Sequence, residues 1–403
     1  MKLDLEKIKK AQKNIKNAVR KTPMIYTSTF SKRCSCNVYL KCENKQKTGA
    51  FKLRGAYNKL VNLSEEEKKK GVIASSAGNH AQGVAYAATA FNVKSTIIMP
   101  LTAPQSKVNA TRGYGAEVIQ AGQVYDECHD KAVEIQKETG ATFLEPFDDI
   151  NVMAGQGTIA LEILEDLPTT DVIVVPIGGG GLISGIAVAA KSIRPSIRII
   201  GVEPEIVPSA KTSIKNGKIT TVPGAKSLAD GISVSTIGDK CFDYIQKYVD
   251  EIVTISEDEI AHAMFQMLEI SKLVVEGSGA APLAALLAKK INGVEGKNVV
   301  LLVSGGNVDI ATTAKIIERE LVLQKRTIRF EVELQDKTGA LGSLVSKIGT
   351  MGGNIVTIRQ NSNWNEKGLE YADVSFEITV QSKKHGESIL KDLKEKGYVV
   401  KLQ

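Results

Sequence analysis

Short apolar runs rich in β-branched residues recur along the first 330 residues, at 72–75, 95–99, 116–120, 172–176, 197–202 and 299–303. Each is too short for a helix and is bounded by turn residues. Between them lie stretches of helical length and spacing, such as 82–91, 125–139, 156–164 and 182–193. Strands that alternate with helices are joined by crossovers, which makes them parallel and covers the sheet on both faces. The expectation is an α/β architecture built on parallel sheets.

Near residue 325 the period changes. After Gln324-Lys325-Arg326, the residues Ile328, Phe330, Val332 and Leu334 alternate with Arg329, Glu331, Glu333 and Gln335. That is the period of two of a strand with one wet face. Asp336-Lys337-Thr338-Gly339 turns the chain, and Leu341, Leu344, Val345 and Ile348 take helix spacing. Gly352-Gly353-Asn354 ends that helix and a strand begins at Ile355. A polar loop is expected around 363–368, then an alternating strand from Ala372 to Val380, a helix through Ile389, Leu390 and Leu393, and a last strand at 398–402. The order β-α-β-β-α-β is that of a ferredoxin-like unit of about 75 residues. We therefore expect a first region at 1–325, with a smaller subdomain at roughly 50–150 inside it, and a separate domain at 326–403.

Composition narrows the function classes. Basic residues outnumber acidic ones by seven, but they are dispersed along helix faces such as Lys7, Lys9, Lys10, Lys13 and Lys16. With aromatics at 5% and a single Trp, Trp364, the chain is poorly equipped to stack nucleic-acid bases. No run approaches the ~18 apolar residues of a membrane span. The five cysteines (Cys34, Cys36, Cys42, Cys128 and Cys241) match no zinc spacing, and the charged N-terminus does not read as a signal peptide. A reducing cytoplasm fits these features.

Three small-residue segments and one lysine point to chemistry. Ser75-Ser76-Ala77-Gly78-Asn79-His80 links a strand to a helix and exposes N–H groups to an anion. Gly178-Gly179-Gly180-Gly181-Leu182 also follows a buried strand and opens a helix. Four consecutive glycines either form a tight turn or let the backbone wrap a phosphate, and the spacing is neither a dinucleotide fingerprint nor a Walker motif. Ser304-Gly305-Gly306-Asn307 stands at the carboxyl end of a strand, where ligands of open α/β sheets bind. Lys52 lies between Phe51 and Leu53. Most lysines are surface residues, but burial there would lower its pKa and free a neutral amine for Schiff-base chemistry.

These four segments, in this order, resemble the threonine dehydratase (threonine ammonia-lyase) family over about residues 1–325. The resemblance implies pyridoxal 5'-phosphate as cofactor and the fold type II shared with tryptophan synthase β and cysteine synthase. The C-terminal unit resembles an ACT domain. Carried onto this chain, Lys52 would hold the cofactor and later move the Cα proton, and Phe51 would pack on the ring. Gly178, Gly179, Gly180, Gly181 and the N–H of Leu182 would cradle the phosphate. Asn79 would bond the ring hydroxyl oxygen and Ser304 would face the pyridine nitrogen. Ser76, Ala77, Asn79 and His80 would receive the substrate carboxylate, and Asp336, Gly339 and Asn354 would lie where such domains hold an effector.

Serine racemases resemble this framework too, but carry a serine base at the position of Ala77, which has no titratable group. Glu145-Pro146-Phe147-Asp148 is also similar to the dehydratases, through Phe147. The racemase-like cation site uses a Glu and an Asp. Glu203 matches the first, Ser209 stands near the second, and no divalent metal is expected. The resemblance thus implies deamination of L-threonine, with L-serine as a further substrate, under an amino-acid effector such as isoleucine, in a homodimer or homotetramer. The other readings are a serine dehydratase or racemase, or an amino-acid sensor whose catalytic half has decayed.

Overall fold

The apolar runs pair as parallel strands in two separate sheets. In the larger, six strands lie in the order Met24–Tyr26, Asn37–Cys42, Asn298–Val303, Val172–Pro176, Arg198–Pro204 and Glu251–Ile255. Only the first is antiparallel to its neighbour. The smaller has the order Glu117–Gln120, Ser95–Met99, Val72–Ser75 and Thr142–Phe143, all parallel. The computed structural model describes residues 2–361 and 370–402. The polar loop expected at 363–368, with Trp364, lies outside the described residues. Among the described residues no helix is long and apolar enough to cross a membrane.

Both sheets belong to one compact unit, Met1–Val308; the second unit is Asp309–Gln403. The division falls ahead of the helix Ile310–Leu323, whereas the change of period sets it at 325/326. Four strands of the first unit escape the sequence pattern: Met24–Tyr26, Asn37–Cys42, Thr142–Phe143 and Glu251–Ile255. The second pairs in register along its whole length with Asn298–Val303. It hides behind its polar residues, for Lys41, its next-to-last residue, is fully buried.

Helices cover the sheets at very short range. The helix that begins with the candidate lysine, Lys52–Val61, packs on Asn79–Ala90 and on Ile150–Asp166. Glycines make these approaches possible. A Cβ on Gly83 would stand 3.1 Å from the carbonyl carbon of Lys52, and one on Gly155 would stand 2.5 Å from the Arg54 carbonyl oxygen. The helix Gly181–Ile193 meets Ile150–Asp166 in the same way: a Cβ on Gly185 would overlap the Met153 carbonyl oxygen and lie 2.7 Å from the Gly157 nitrogen. Around these crossings Ile159, Ile163, Ile173, Val175, Ile183 and Ile186 form a dry core.

In the second unit the strands lie in the order Asn354–Asn361, Tyr371–Thr379, Thr327–Gln335 and Val399–Leu402, all antiparallel. Helices Ala340–Thr350 and Lys383–Glu395 supply Leu344, Ile348, Ile389 and Leu393 to a core with Phe330, Val332, Val374 and Phe376. This is the ferredoxin-like β-α-β-β-α-β order, and the alternating strand residues are those that point inward.

Gly185→Ala tests the helix crossing. In a free helix alanine gains about 1 kcal/mol over glycine. Here overlap with fixed backbone outweighs that gain, and a net loss of about 1–3 kcal/mol is expected in guanidinium unfolding. A variant more stable than the parent would refute the close approach.

Candidate active site

Lys52 is the first residue of its helix, and the chain before it is stitched to the end of the strand Asn298–Val303. The Phe51 N–H donates to the Ser304 carbonyl at 3.0 Å, and Ala50 and Gly305 form an antiparallel bridge. Ser304 is itself buried at the carboxyl end of that strand. The Lys52 Nζ donates to the Pro146 carbonyl at 2.6 Å and lies 5.4 Å from the centre of the Phe51 ring. Burial brings its pKa down to about 8, against the pull of Cys241 and Glu276. About a tenth of the amine is then neutral at pH 7, far more than for an ordinary lysine. That is the state a nucleophile or a proton acceptor needs.

The glycine run sits one residue beyond Lys52's acceptor. Phe147 follows Pro146, and its ring occupies the place a Cβ of Gly179 would take, while a Cβ on Gly181 would lie 2.6 Å from the Phe147 carbonyl. Gly180 is left-handed at φ +98°, and a Cβ there would stand 2.8 Å from Cys241 Cβ. Close packing thus accounts for three of the four glycines. Gly180 is the N-cap of Gly181–Ile193 and supplies no side-chain hydrogen bond. The N–H groups of Gly181 and Leu182 open an uncapped helix, a setting that suits a phosphate. A cradle too tight for any Cβ and a lysine of lowered pKa fit pyridoxal 5'-phosphate.

The loop 76–80 leaves the strand Val72–Ser75 at the carboxyl edge of the smaller sheet. The Gly78 N–H donates to Ser76 Oγ at 3.2 Å, and the helix Asn79–Ala90 again starts without a side-chain cap. Ala77 adds no polar atom. Asn79 is held on both sides: its Nδ2 donates to Glu276 Oε1 at 2.8 Å, and its Oδ1 accepts from Asn307 Nδ2 at 2.8 Å. One Nδ2 hydrogen of Asn79 is left over. His80 differs from the sequence expectation. Its ring turns into the core, 4% exposed, with Nε2 at 2.8 Å from the Leu144 carbonyl. Burial and the nearby Lys52 push its pKa down to about 3, so it is neutral. Only its main chain remains at the head of the loop helix.

Glu276 is the residue the sequence did not reveal. It is buried at the N-cap of Gly277–Leu287, and its N–H donates to the Gly305 carbonyl at 3.2 Å. Burial raises its pKa to about 7, Asp230 adds to the rise, and the bond from Asn79 opposes it. The one signal was an acid set in a run of small residues, Val275-Glu276-Gly277-Ser278-Gly279-Ala280. Glu203, by contrast, is occupied. Its two oxygens accept the N–H groups of Ala210 and Lys211 at 2.8 Å each, while Ser209 Oγ donates to the Val234 carbonyl.

The expected effector positions lie in the second unit. Asp336 donates its N–H to the Glu370 carbonyl at 2.8 Å, and Gly339, at φ +84°, is the N-cap of Ala340–Thr350. Asn354 opens the strand Asn354–Asn361 and bonds Thr379 Oγ1 at 3.2 Å. His385 braces the turn before it: Nδ1 accepts the Gln381 N–H, which leaves Nε2 to donate to the Met351 carbonyl at 2.7 Å.

The Lys52 shift has a signed consequence. Its pKa is about 8 in the fold against an ordinary 10.5. Between these values the unfolded chain holds a proton that the fold has released, so stability rises with pH across that window. Below pH 8 the penalty is complete. In cofactor-free protein, Lys52→Met is expected to gain up to about 3 kcal/mol over the parent at pH 7. The gain should vanish near pH 10.5, as read by urea unfolding over a pH series. No gain at pH 7 would mean that the amine is solvated.

Comparison with known proteins agrees with this geometry. Residues 15–305 match the family described as pyridoxal-phosphate dependent enzyme. An L-threonine ammonia-lyase of Thermotoga maritima is 47% identical over 400 residues, 99% of either chain. Among solved structures, maize serine racemase covers 80% of this chain and 99% of its own, at 38% identity and a TM-score of 0.75. The processed threonine deaminase isoform 2 of Solanum lycopersicum covers 78% and 94%, at 36% and 0.74. The chain belongs to the pyridoxal-phosphate dependent enzymes of fold type II, in the threonine ammonia-lyase family.

Proposed function

We propose that this chain removes water and then ammonia from L-threonine to give 2-oxobutanoate, and converts L-serine to pyruvate by the same route. The observation that carries the reading is the Lys52 amine, desolvated beside the glycine run at the carboxyl edge of the sheet. When bound, the pyridoxal group supplies an electron sink for negative charge at Cα. Lys52 carries the cofactor and then takes the Cα proton with its neutral amine. Gly178, Gly179, Gly180, Gly181 and the Leu182 N–H hold the phosphate, and Phe51 packs on the ring. The remaining Nδ2 hydrogen of Asn79 serves the ring hydroxyl oxygen. Ser304 faces the pyridine nitrogen, where a serine does not enforce protonation as an aspartate would. Ser76, Ala77 and the main chain of Asn79 and His80 receive the substrate carboxylate at the uncapped helix start.

Two other readings have some footing. The likeness to maize serine racemase favours racemisation, but Ala77 offers no second base. A sensor with a decayed catalytic half would not need a desolvated Lys52. We further propose that the second unit binds an amino acid such as isoleucine through Asp336, Gly339 and Asn354, and that the chain works as a homodimer or homotetramer. Five free thiols suit a cytoplasmic setting.

The decisive assay is 2-oxo acid release from L-threonine and L-serine, with and without L-isoleucine. Oxo acid and ammonia from threonine are expected, with suppression by isoleucine. Serine recovered as a racemate with no oxo acid would favour the racemase, and a protein that takes up no cofactor would favour the sensor. Glu276→Gln preserves the acceptor for Asn79 but cannot titrate. Such a variant should retain the cofactor and lose the inflection near pH 7 in its kcat profile. An unchanged profile would show that Glu276 does not titrate during turnover.

A further inference from the structure

Two residues beyond Lys52, and outside every role assigned above, four charged side chains meet out of contact with water. Lys41, Glu43 and Arg54 are fully buried and Glu162 is 7% exposed. Their charges sum to zero. Arg54 holds Glu43 with a two-pronged grip, Nε to Oε2 and Nη2 to Oε1, both at 2.8 Å. Its Nη1 and Nη2 reach the two oxygens of Glu162 at 2.6 and 3.0 Å. The fifth guanidinium hydrogen, on Nη1, goes to Thr158 Oγ1, and the Arg20 carbonyl, 3.3 Å from Nη2, shares one of that nitrogen's two hydrogens. Lys41 Nζ bonds Glu162 Oε2 and the Thr22 carbonyl, at 2.7 Å each, and lies 4.0 Å from Oδ2 of the partly exposed Asp166 at the edge of the group. Burial pushes the Glu43 carboxyl up, and Arg54 beside it more than reverses this.

Stability does not explain such a group. Well-packed apolar side chains of like volume hold a core as well or better than a buried ion cluster. Direction does. The lysine helix begins against its local sequence: Phe51 at the N-cap makes no side-chain hydrogen bond, and the first turn carries Lys52 and Arg54, the wrong sign for a helix start. A planar guanidinium held by two carboxylates fixes orientation in a way apolar contacts cannot.

We propose that Arg54, gripped by Glu43 and Glu162, is a positioning residue that sets the first turn of the lysine helix, and so the place of Lys52 Nζ beside the Pro146 carbonyl. The proposal rests on the reading of Lys52 as the cofactor-bearing base.

Two full-chain holoenzyme variants test it. Arg54→Lys keeps the charge and loses the fork. A second variant combines Lys41→Met, Glu43→Leu, Arg54→Met and Glu162→Leu to make the cluster apolar. In both, kcat for L-threonine is expected to fall about ten-fold or more, with KM changed less than about threefold. The pH midpoint of the bound cofactor's visible absorbance should move in step, and the apolar variant should melt at or above the parent's temperature. A folded variant with kcat within about threefold of the parent and an unmoved absorbance midpoint overturns the proposal. So does a loss that follows melting temperature alone. If Arg54→Lys does not fold, the apolar variant decides. If the parent itself releases no oxo acid, the functional reading fails, and the absorbance midpoint alone judges the role of Arg54.

Discussion

Desolvation of one amine is the constraint on which the catalytic unit is built. Water would hold Lys52 charged and inert near neutral pH. Its helix therefore starts under cover, with the Phe51 N–H bonded to Ser304 and Nζ turned to the Pro146 carbonyl. Cover of this kind needs neighbours at short range. Gly83 and Gly155 admit the backbone of the lysine helix to within contact of two others. Phe147, next to Pro146, in turn shapes the glycine run. The lowered pKa of Lys52 and the shape of the glycine run thus come from the same packing.

Much of this was legible in the chain because it is local. A strand, a turn of small residues and a helix start occupy about ten consecutive residues, so two of the loops could be read directly as strand-to-helix turns, and the third from its place at a strand end. The ferredoxin-like unit was legible for the same reason, since Phe330, Val332 and Leu334 declare the inner face by period alone. What escaped was either masked or distant. Asn37–Cys42 carries a buried Lys41 near its end, and a buried partner 121 positions away, Glu162, makes that tolerable. Glu276 meets Asn79 across 197 positions, and no spacing rule reaches so far. The direction of the His80 ring was not legible, because a loop motif does not say which way a side chain turns once the helix has begun.

The two units differ in how they hold the residues proposed to bind ligands. In the first, the polar groups are half-buried and tied: Asn79 by Glu276 and Asn307, and Asn307 by the Thr48 carbonyl. In the second, Asn354 is exposed and its turn is braced by one imidazole bonded to main chain on both sides. Tied groups suit a site that must not rearrange during turnover. A lightly braced turn is what the proposed effector site would need, since a ligand acts only by choosing between two arrangements.

The shared grip of Arg54 also shapes how such a chain changes over generations. Loss of any one member leaves an unmatched charge in a dry core, which is among the costliest single substitutions a protein meets. The four positions are thereby a unit of inheritance: drift can carry them together or leave them alone, with no viable halfway sequence. Across descendants, Lys41, Glu43, Arg54 and Glu162 should covary as a set even where the surfaces around them diverge.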